Sequence, residues 1–270
     1  MARIKFILVS FLLFLYVESA FCSISICSWN LQNFGNSKSN LEVDFIASTI
    51  QNYDVIAIQE VMAGNGGTQV VTRLVDLMNR KEKSWEYTIS NPTTSSSSAT
   101  SERYAFIWNK NTVTKLGVAW LENHYVVEID REPYFATFLK EGKEFTVVTF
   151  HAKPKAKQPE TEIKYFKFFP NLYPKLNLIF CGDFNCPQSH TVFIPLKTMG
   201  YNPAFVGQKT TLRMKCIRND CLASEYDNFF YNPKKLVFLK SGIIHFYQSF
   251  STIVKARRIS DHVPIYLTFK

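Results

Sequence analysis

From residue 23 onward the chain is a succession of short apolar runs of strand character, interrupted by only three helical patterns, and this limits the folds open to it. Strand patterns cover 23–29, 55–58, 85–90, 104–108, 112–120, 135–138, 145–150 and the run Leu178-Ile179-Phe180, then 228–231, 237–240, 243–246 and 263–269. Helices are expected over 41–52, 68–80 and 160–169. The second carries Val70, Val71, Leu74, Val75, Leu77 and Met78 on one face. Many strands with few long helices imply two sheets packed face to face, with helices covering the outsides.

The strand patterns share polar ends. After Phe180 comes Cys181-Gly182-Asp183-Phe184-Asn185-Cys186, in which alternation sets Asp183 and Asn185 on one side and Phe184 in the core. Oxygen donors on a rigid strand end suit a hard cation or a phosphate. Gly-Asp and Asn-Cys-Pro are equally ordinary turn chemistry. The same ending recurs: the first strand runs into Asn30, the second into Gln59-Glu60, and the 145–150 strand into His151. Glu102 and Asp227 stand just before strands, and Asp261-His262 opens the last one. Each has a plain local explanation, as a turn former, a helix-start acid or a satisfied core histidine. Together they would converge on one rim of a two-sheet domain, which is where a site belongs.

Arg3 and Lys5, an apolar stretch over 7–17 and Ala20-Phe21-Cys22 form a secretory-signal pattern, with cleavage expected after Cys22 or, alternatively, Ala20. Phe21 departs from the pattern that would make Cys22 a lipidation site. The expected mature domain is residues 23–270, extracellular or, in a Gram-negative cell, periplasmic. No later run has the length and apolarity of a transmembrane segment. The formal charge is +9, of which the signal carries one net unit. Such a basic domain favours polyanions: nucleic acid, acidic lipid or acidic glycan. Solubility alone is the plain alternative. The Ser/Thr-rich stretch from Thr93 to Ser101 lies between strand patterns and reads as a loop within the domain.

Cys27 and Cys181 sit in apolar strand patterns and read as buried thiols. Cys186, Cys216 and Cys221 lie in polar loops of an exported chain, so a disulfide from Cys186 to Cys216 or Cys221 is expected. A zinc site would need paired short cysteine steps and clustered histidines, which the spacing lacks.

In order along the chain, WNLQNF (29–34), IQEV (58–61), SERYAFIW (101–108), REP (131–133), TFH (149–151), GDFN (182–185), EYDN (225–228) and SDHVP (260–264) resemble the deoxyribonuclease I-like endonuclease/exonuclease/phosphatase superfamily, secreted bacterial endonucleases within it above all. The resemblance spans Ile24 to Phe269. It implies an α+β fold, a four-layered α/β sandwich of two mainly antiparallel sheets with helices outside. It also implies a metal-dependent hydrolase that cleaves DNA phosphodiesters by attack of an activated water. The implied metal is Mg²⁺, with Ca²⁺ or Mn²⁺ as alternatives, held by Glu60 with Asn30 and Asp261 completing or buttressing the site. His151 and His262 match the catalytic histidines, paired with Glu102 and Asp227. Asp183 and Asn185 match the pair that orients water and phosphate, and Arg131 a phosphate-contacting arginine. The implied partner is nucleic acid, DNA foremost, with the enzyme a monomer and no stable protein partner.

The departures concern substrate grip. Deoxyribonuclease I carries an arginine, a tyrosine and a basic residue where this chain has Met62, Thr100 and Asn228. Lys153, Lys155 and Lys157, or Arg213, Lys215 and Arg218, offer other phosphate contacts; a solvated loop face is the alternative for both runs. Two further functions stay open on sequence: a phosphodiesterase or phosphatase on lipid headgroups, and a non-catalytic binding or toxin subunit on the same scaffold.

Overall fold

The computed structural model describes residues 23–80, 84–97 and 100–270. The signal pattern over 1–22, with its cleavage position, lies outside the described residues. Fourteen strands are present among the described residues: β1 (Ile24–Phe34), β2 (Val55–Met62), β3 (Trp85–Ile89), β4 (Glu102–Asn109), β5 (Thr114–Leu121), β6 (Tyr134–Lys140), β7 (Lys143–His151), β8 (Leu178–Asp183), β9 (Asn202–Pro203), β10 (Leu212–Ile217), β11 (Asp220–Leu222), β12 (Asp227–Tyr231), β13 (Phe238–Ile243) and β14 (Ile265–Phe269). The two longest helices among the described residues are α1 (Asn40–Ile50) and α2 (Asn65–Asn79). Ser39 and Glu42 cap α1 reciprocally, each side chain accepting the other's backbone N–H.

The strands form two six-stranded sheets, in the orders β13-β14-β1-β2-β4-β3 and β5-β6-β7-β8-β12-β9. Each holds one parallel pair, β1 with β2 and β7 with β8, in an otherwise antiparallel ladder. Three apolar layers follow from strand alternation. One packs α1 and α2 onto the outer face of the first sheet, through residues such as Ile46, Val71, Leu74, Ile56 and Ile58. A second fills the space between the sheets, with Ile26, Phe106, Val147, Ile179 and Phe229. The third covers the outer face of the second sheet and is rich in phenylalanine, including Phe150, Phe166, Phe180, Phe184 and Phe230. This is the expected four-layered sandwich.

Three local expectations need correction. The helix over 160–169 is broken into short pieces, Glu160–Ile163, a tighter turn at Phe166–Phe168, then Phe169–Leu172 with Pro170 in its first turn. No strand forms over 243–246; β13 ends at Ile243 and Phe246–Ser249 is a short 3₁₀ turn. The disulfide joins Cys216 to Cys221, while Cys186 is a buried free thiol. Cys186 packs among the phenylalanines of the outer layer, so the side chain assigned to a polar loop behaves as a small apolar group. No helix among the described residues is long and apolar enough to cross a membrane.

At the edge opposite the polar strand ends, Asp54 joins the two sheets. Its Oδ2 accepts from the backbone N–H and hydroxyl of Ser25 at 2.8 Å each, and its Oδ1 from Lys140 Nζ at 2.8 Å. Burial alone would raise its pKa, but Lys140 and Ser25 outweigh it and hold the carboxyl below the usual range. A depressed folded pKa contributes stability that is complete above the ordinary value near ~3.9 and fades as pH falls through the lower folded value. Asp54→Asn should therefore cost about 1–3 kcal/mol at pH 7, measured by urea unfolding. The gap to wild type should narrow in acid; a gap that stays constant or widens from pH 7 to pH 3 would contradict this account.

Candidate active site

The polar strand ends meet in a cleft of about 590 Å³ at one rim of the sandwich. Alternation explains most of the arrangement. Residues that face the inter-sheet layer recur at every second position, so Glu102 follows the register of Tyr104 and Phe106, Asp183 that of Ile179 and Cys181, and His151 that of Phe145 and Val147. In the second sheet Asp183 is the ladder partner of both His151 and Asp227, which places these three side by side. Asn30 arrives from the first sheet, beyond Ile26 and Ser28 on β1. Each parallel pair thus delivers its polar residues at the carboxyl ends of its strands, where α/β sheets bind ligands.

Glu60 needs a different explanation, because simple alternation would turn it toward the helices with Ile58. The ladder between β2 and β4 shifts register between Ile58 and Val61, and Glu60 has φ of 58°. The β1–β2 ladder also shifts between Asn30 and Phe34, with Gln32 and Asn33 at φ of 39° and 53°. Bulges of this kind re-aim side chains. Here they bring Glu60 Oε1 within 2.9 Å of Asn30 Nδ2 and its Oε2 within 2.9 Å of the Asn33 N–H.

Asp183 lies at the centre and is 1% exposed. Its Oδ2 accepts from Asn30 Nδ2 at 3.1 Å and lies 3.4 Å from Nε2 of both His151 and His262. Its Oδ1 accepts from the backbone N–H of Asn185 at 2.8 Å. Each imidazole is held from behind by a second acid: His151 Nδ1 lies 2.8 Å from Glu102 Oε2, and His262 Nδ1 lies 2.7 Å from Asp227 Oδ2. Both rings are therefore aimed into the cleft by buried carboxylates, an arrangement suited to proton transfer.

The electrostatics follow from burial and pairing. Burial disfavours a charged ring, yet Asp227 and Asp183 outweigh it and hold His262 well above the usual histidine range. For His151 burial is again overcome, by Glu102 against the opposing charge of Arg131, and the ring is raised. Burial would raise Asp183 and Glu102, but the histidines beside them, joined at Glu102 by Arg131, hold both below the usual carboxylate range. Asp227 goes the other way: burial, reinforced by the neighbouring Asp183 charge, pushes it up despite His262.

Two residues at the cleft are held by partners within the chain. Arg131 is 7% exposed. It donates from one Nη to Glu102 at 3.0 Å and from the other to the Ala152 carbonyl at 2.6 Å. Asp261 lines the cleft, but its carboxylate engages Arg257 at 3.4 Å and shares no hydrogen bond with Glu60 or Asn30 among the described residues. Asn185, at φ of 48°, donates its amide to the Ala152 carbonyl at 3.0 Å. Sequence reasoning missed Thr210, which donates to Asp227 Oδ2 at 2.6 Å, and Tyr104, whose hydroxyl accepts from the His151 N–H at 3.2 Å. It also missed Ser260, which bonds both the Asn30 carbonyl and the His262 N–H. Tyr104 lay in view as an inward position next to Glu102; Thr210 carries no local signal. The tightest His/Cys/Asp/Glu cluster among the described residues is Asp183, Asp227 and His262. Both ring nitrogens of His262 already face carboxylates there, so it is a proton-sharing chain more than a ligand set.

A model of the Endonuclease/Exonuclease/phosphatase family matches residues 27–262. The chain is 28% identical to a deoxyribonuclease of Thioalkalivibrio sp. (strain K90mix) over 284 residues, covering 96% of this chain and 74% of that protein. It is 24% identical to deoxyribonuclease gamma of Rattus norvegicus, over 96% of this chain and 88% of the relative. Among solved structures, a mannosyl-6-phosphatase of Bacteroides thetaiotaomicron matches with a TM-score of 0.68 at 15% identity, over 92% of this chain and 99% of that one. D. rerio TDP2 complexed with a single strand DNA product matches with a TM-score of 0.65 at 14% identity, over 93% and 100%. At such identities the structural matches speak for the fold.

The spacing of His151 and Asp183 depends on Gly182, whose φ is 127° and whose added Cβ would lie 2.0 Å from the Phe150 carbonyl oxygen. Gly182→Ala must force β7 and β8 apart at the site, at a cost of about 1–3 kcal/mol or more. Thermal unfolding should show a Tm several degrees lower; a wild-type Tm would refute the close-packing argument.

Proposed function

The chain belongs to the endonuclease/exonuclease/phosphatase family, and from that membership we propose that it is an exported, metal-dependent endonuclease that hydrolyses DNA. The observation that carries the reading is the symmetric pair of acid-backed imidazoles, Glu102–His151 and Asp227–His262, closing on Asp183 from two sides. The curated relatives named deoxyribonuclease and the basic charge support DNA as substrate. Export rests on the signal pattern of residues 1–22, with which the Cys216–Cys221 disulfide agrees.

Phosphodiester hydrolysis gathers negative charge on the non-bridging and leaving oxygens. The oxygen donors at the cleft are hard ones, Glu60 foremost, with Asn30 bonded to it from the buried side and Asp261 also among the lining residues. That set fits Mg²⁺, with Ca²⁺ or Mn²⁺ as alternatives. Such an ion, when bound, supplies Lewis-acid neutralisation of phosphate charge. The chain's own groups do the rest. One acid-backed imidazole takes a proton from the attacking water and the other gives one to the leaving oxygen or stabilises phosphate charge. Asp183 and Asn185 fix water and phosphate between them. Arg131 positions Glu102 and His151.

Purified protein incubated with supercoiled plasmid, single-stranded DNA, RNA and sphingomyelin, with Mg²⁺, Ca²⁺ or EDTA, tests the proposal. Nicking of plasmid that EDTA abolishes is expected. Headgroup release without nicking would replace the DNA reading, and no turnover of any substrate would favour a binding protein. His151→Ala and His262→Ala should each lose at least about 10²-fold in rate with unchanged circular dichroism; near-normal cleavage by both would defeat the assignment. Because both rings are raised, whichever accepts the proton must first lose one. The rate should therefore rise with pH through a limb above ~6.5, the ordinary imidazole value. An acid limb below that value in the pH–rate profile would contradict the reading.

A further inference from the structure

We infer that the hairpin of β10 and β11 is a substrate arm that grips a polynucleotide strand on the His262 side of the cleft, with phosphates on Arg213 and Lys215 and Met214 against sugars and base edges. The inference rests on the nucleic-acid reading of the site. These two strands pair only with each other, outside both large sheets. Arg218 and Asn219 at its turn both have positive φ, 48° and 68°, as the tightest hairpin connections require. Cys216 and Cys221 staple it just behind that turn.

Its register is uneven. Ile217 pairs with Asp220 and Leu212 with Leu222, so β10 carries three extra residues, Arg213, Met214 and Lys215, in an outward bulge. Those residues line a second cleft of about 570 Å³ whose other wall includes Asn185, Asp261 and His262. The root of the arm is bonded to the catalytic wall. The Leu212 N–H donates to the Asp261 carbonyl at 2.6 Å, and Thr211 forms a β-bridge with His262. Thr210, one residue earlier, holds Asp227. Whatever lies along the bulge is thereby held in register with the acid-backed His262.

The surface chemistry points the same way. Lys209, Arg213, Lys215 and Arg218 face Asp220 as the one acid of the segment. Asp220 engages Lys209 at 2.8 Å and Arg213 at 3.4 Å. Neither Lys215 nor Arg218 forms an ion pair among the described residues. Met214 and Ile217 are 74% and 59% exposed, although only Leu212 and Leu222 of this hairpin reach the core. Exposed apolar side chains interleaved with cations that outnumber their one acid suit a polyanion that also offers sugar and base surfaces.

The test is fluorescence anisotropy of a labelled 20-base-pair DNA and its single strand in EDTA, with circular dichroism as the folding control. Arg213→Ala combined with Lys215→Ala should weaken binding about tenfold or more and flatten the log K against log salt slope by about 2. Arg213→Lys with Lys215→Arg should restore most of both. Cys216→Ser with Cys221→Ser should also weaken binding while the fold persists. An unchanged Kd and salt slope in the double alanine variant, or no DNA binding by wild type, overturns the arm. Metal-dependent nicking of supercoiled plasmid by wild type reads the catalytic site separately. Its failure would count against the proposed function while the binding data still judge the hairpin.

Discussion

A carboxylate removed from water cannot stay charged alone, and Asp183 is charged at a depth where only 1% of its surface is exposed. Asn30, the Asn185 N–H and the rings of His151 and His262 supply what solvent would have supplied. Each ring then requires its own anchor. His151 needs Glu102, which needs Arg131, which ends on the Ala152 carbonyl; His262 needs Asp227, which ends on Thr210. One buried charge thus makes demands on both sheets. A polar network of this kind is worth keeping only when every member is satisfied.

The two imidazoles are alike in having a carboxylate behind and Asp183 in front, but their surroundings differ. Arg131 stands within 3.0 Å of the His151 ring and opposes its protonation, whereas Asp183, Asp227 and Asp261 all favour a charged His262. The same side-chain type is thereby given two proton affinities by its neighbours, the condition under which one group accepts a proton while the other donates.

Much of this was legible in the sequence because strands alternate. The inter-sheet series Tyr104, Phe106 and Trp108 fixes Glu102, and Ile179 and Cys181 fix Asp183, without knowledge of the fold. The family motifs then supplied the grouping that alternation could not. Glu60 was visible as a residue but not as a geometry, since the bulge that aims it depends on how β2 pairs with β4. The disulfide was misjudged for a related reason: three cysteines in polar stretches allow several pairings, and only the hairpin register brings Cys216 beside Cys221. The helix expected over 160–169 gives way to short pieces after Ile163, although Phe166 and Phe169 both pack on Phe180 in the outer aromatic layer as one helical face would. Thr210 and Ser260 act through hydroxyls at long sequence separation, which no local pattern marks.

The inter-sheet layer has a consequence beyond stability. Asn30, Glu60 and Glu102 belong to one sheet, and His151, Asp183 and Asp227 to the other. The polar cluster is therefore a seam, and the gap across it is set by the thickness of the apolar filling that starts with Tyr104 and Cys181 and runs the length of the sandwich. A methyl group gained or lost deep in that filling changes the distance between the opposing side chains of the cleft without touching any of them. The hydrophobic interior serves here as a spacer gauge for the polar cluster at its rim.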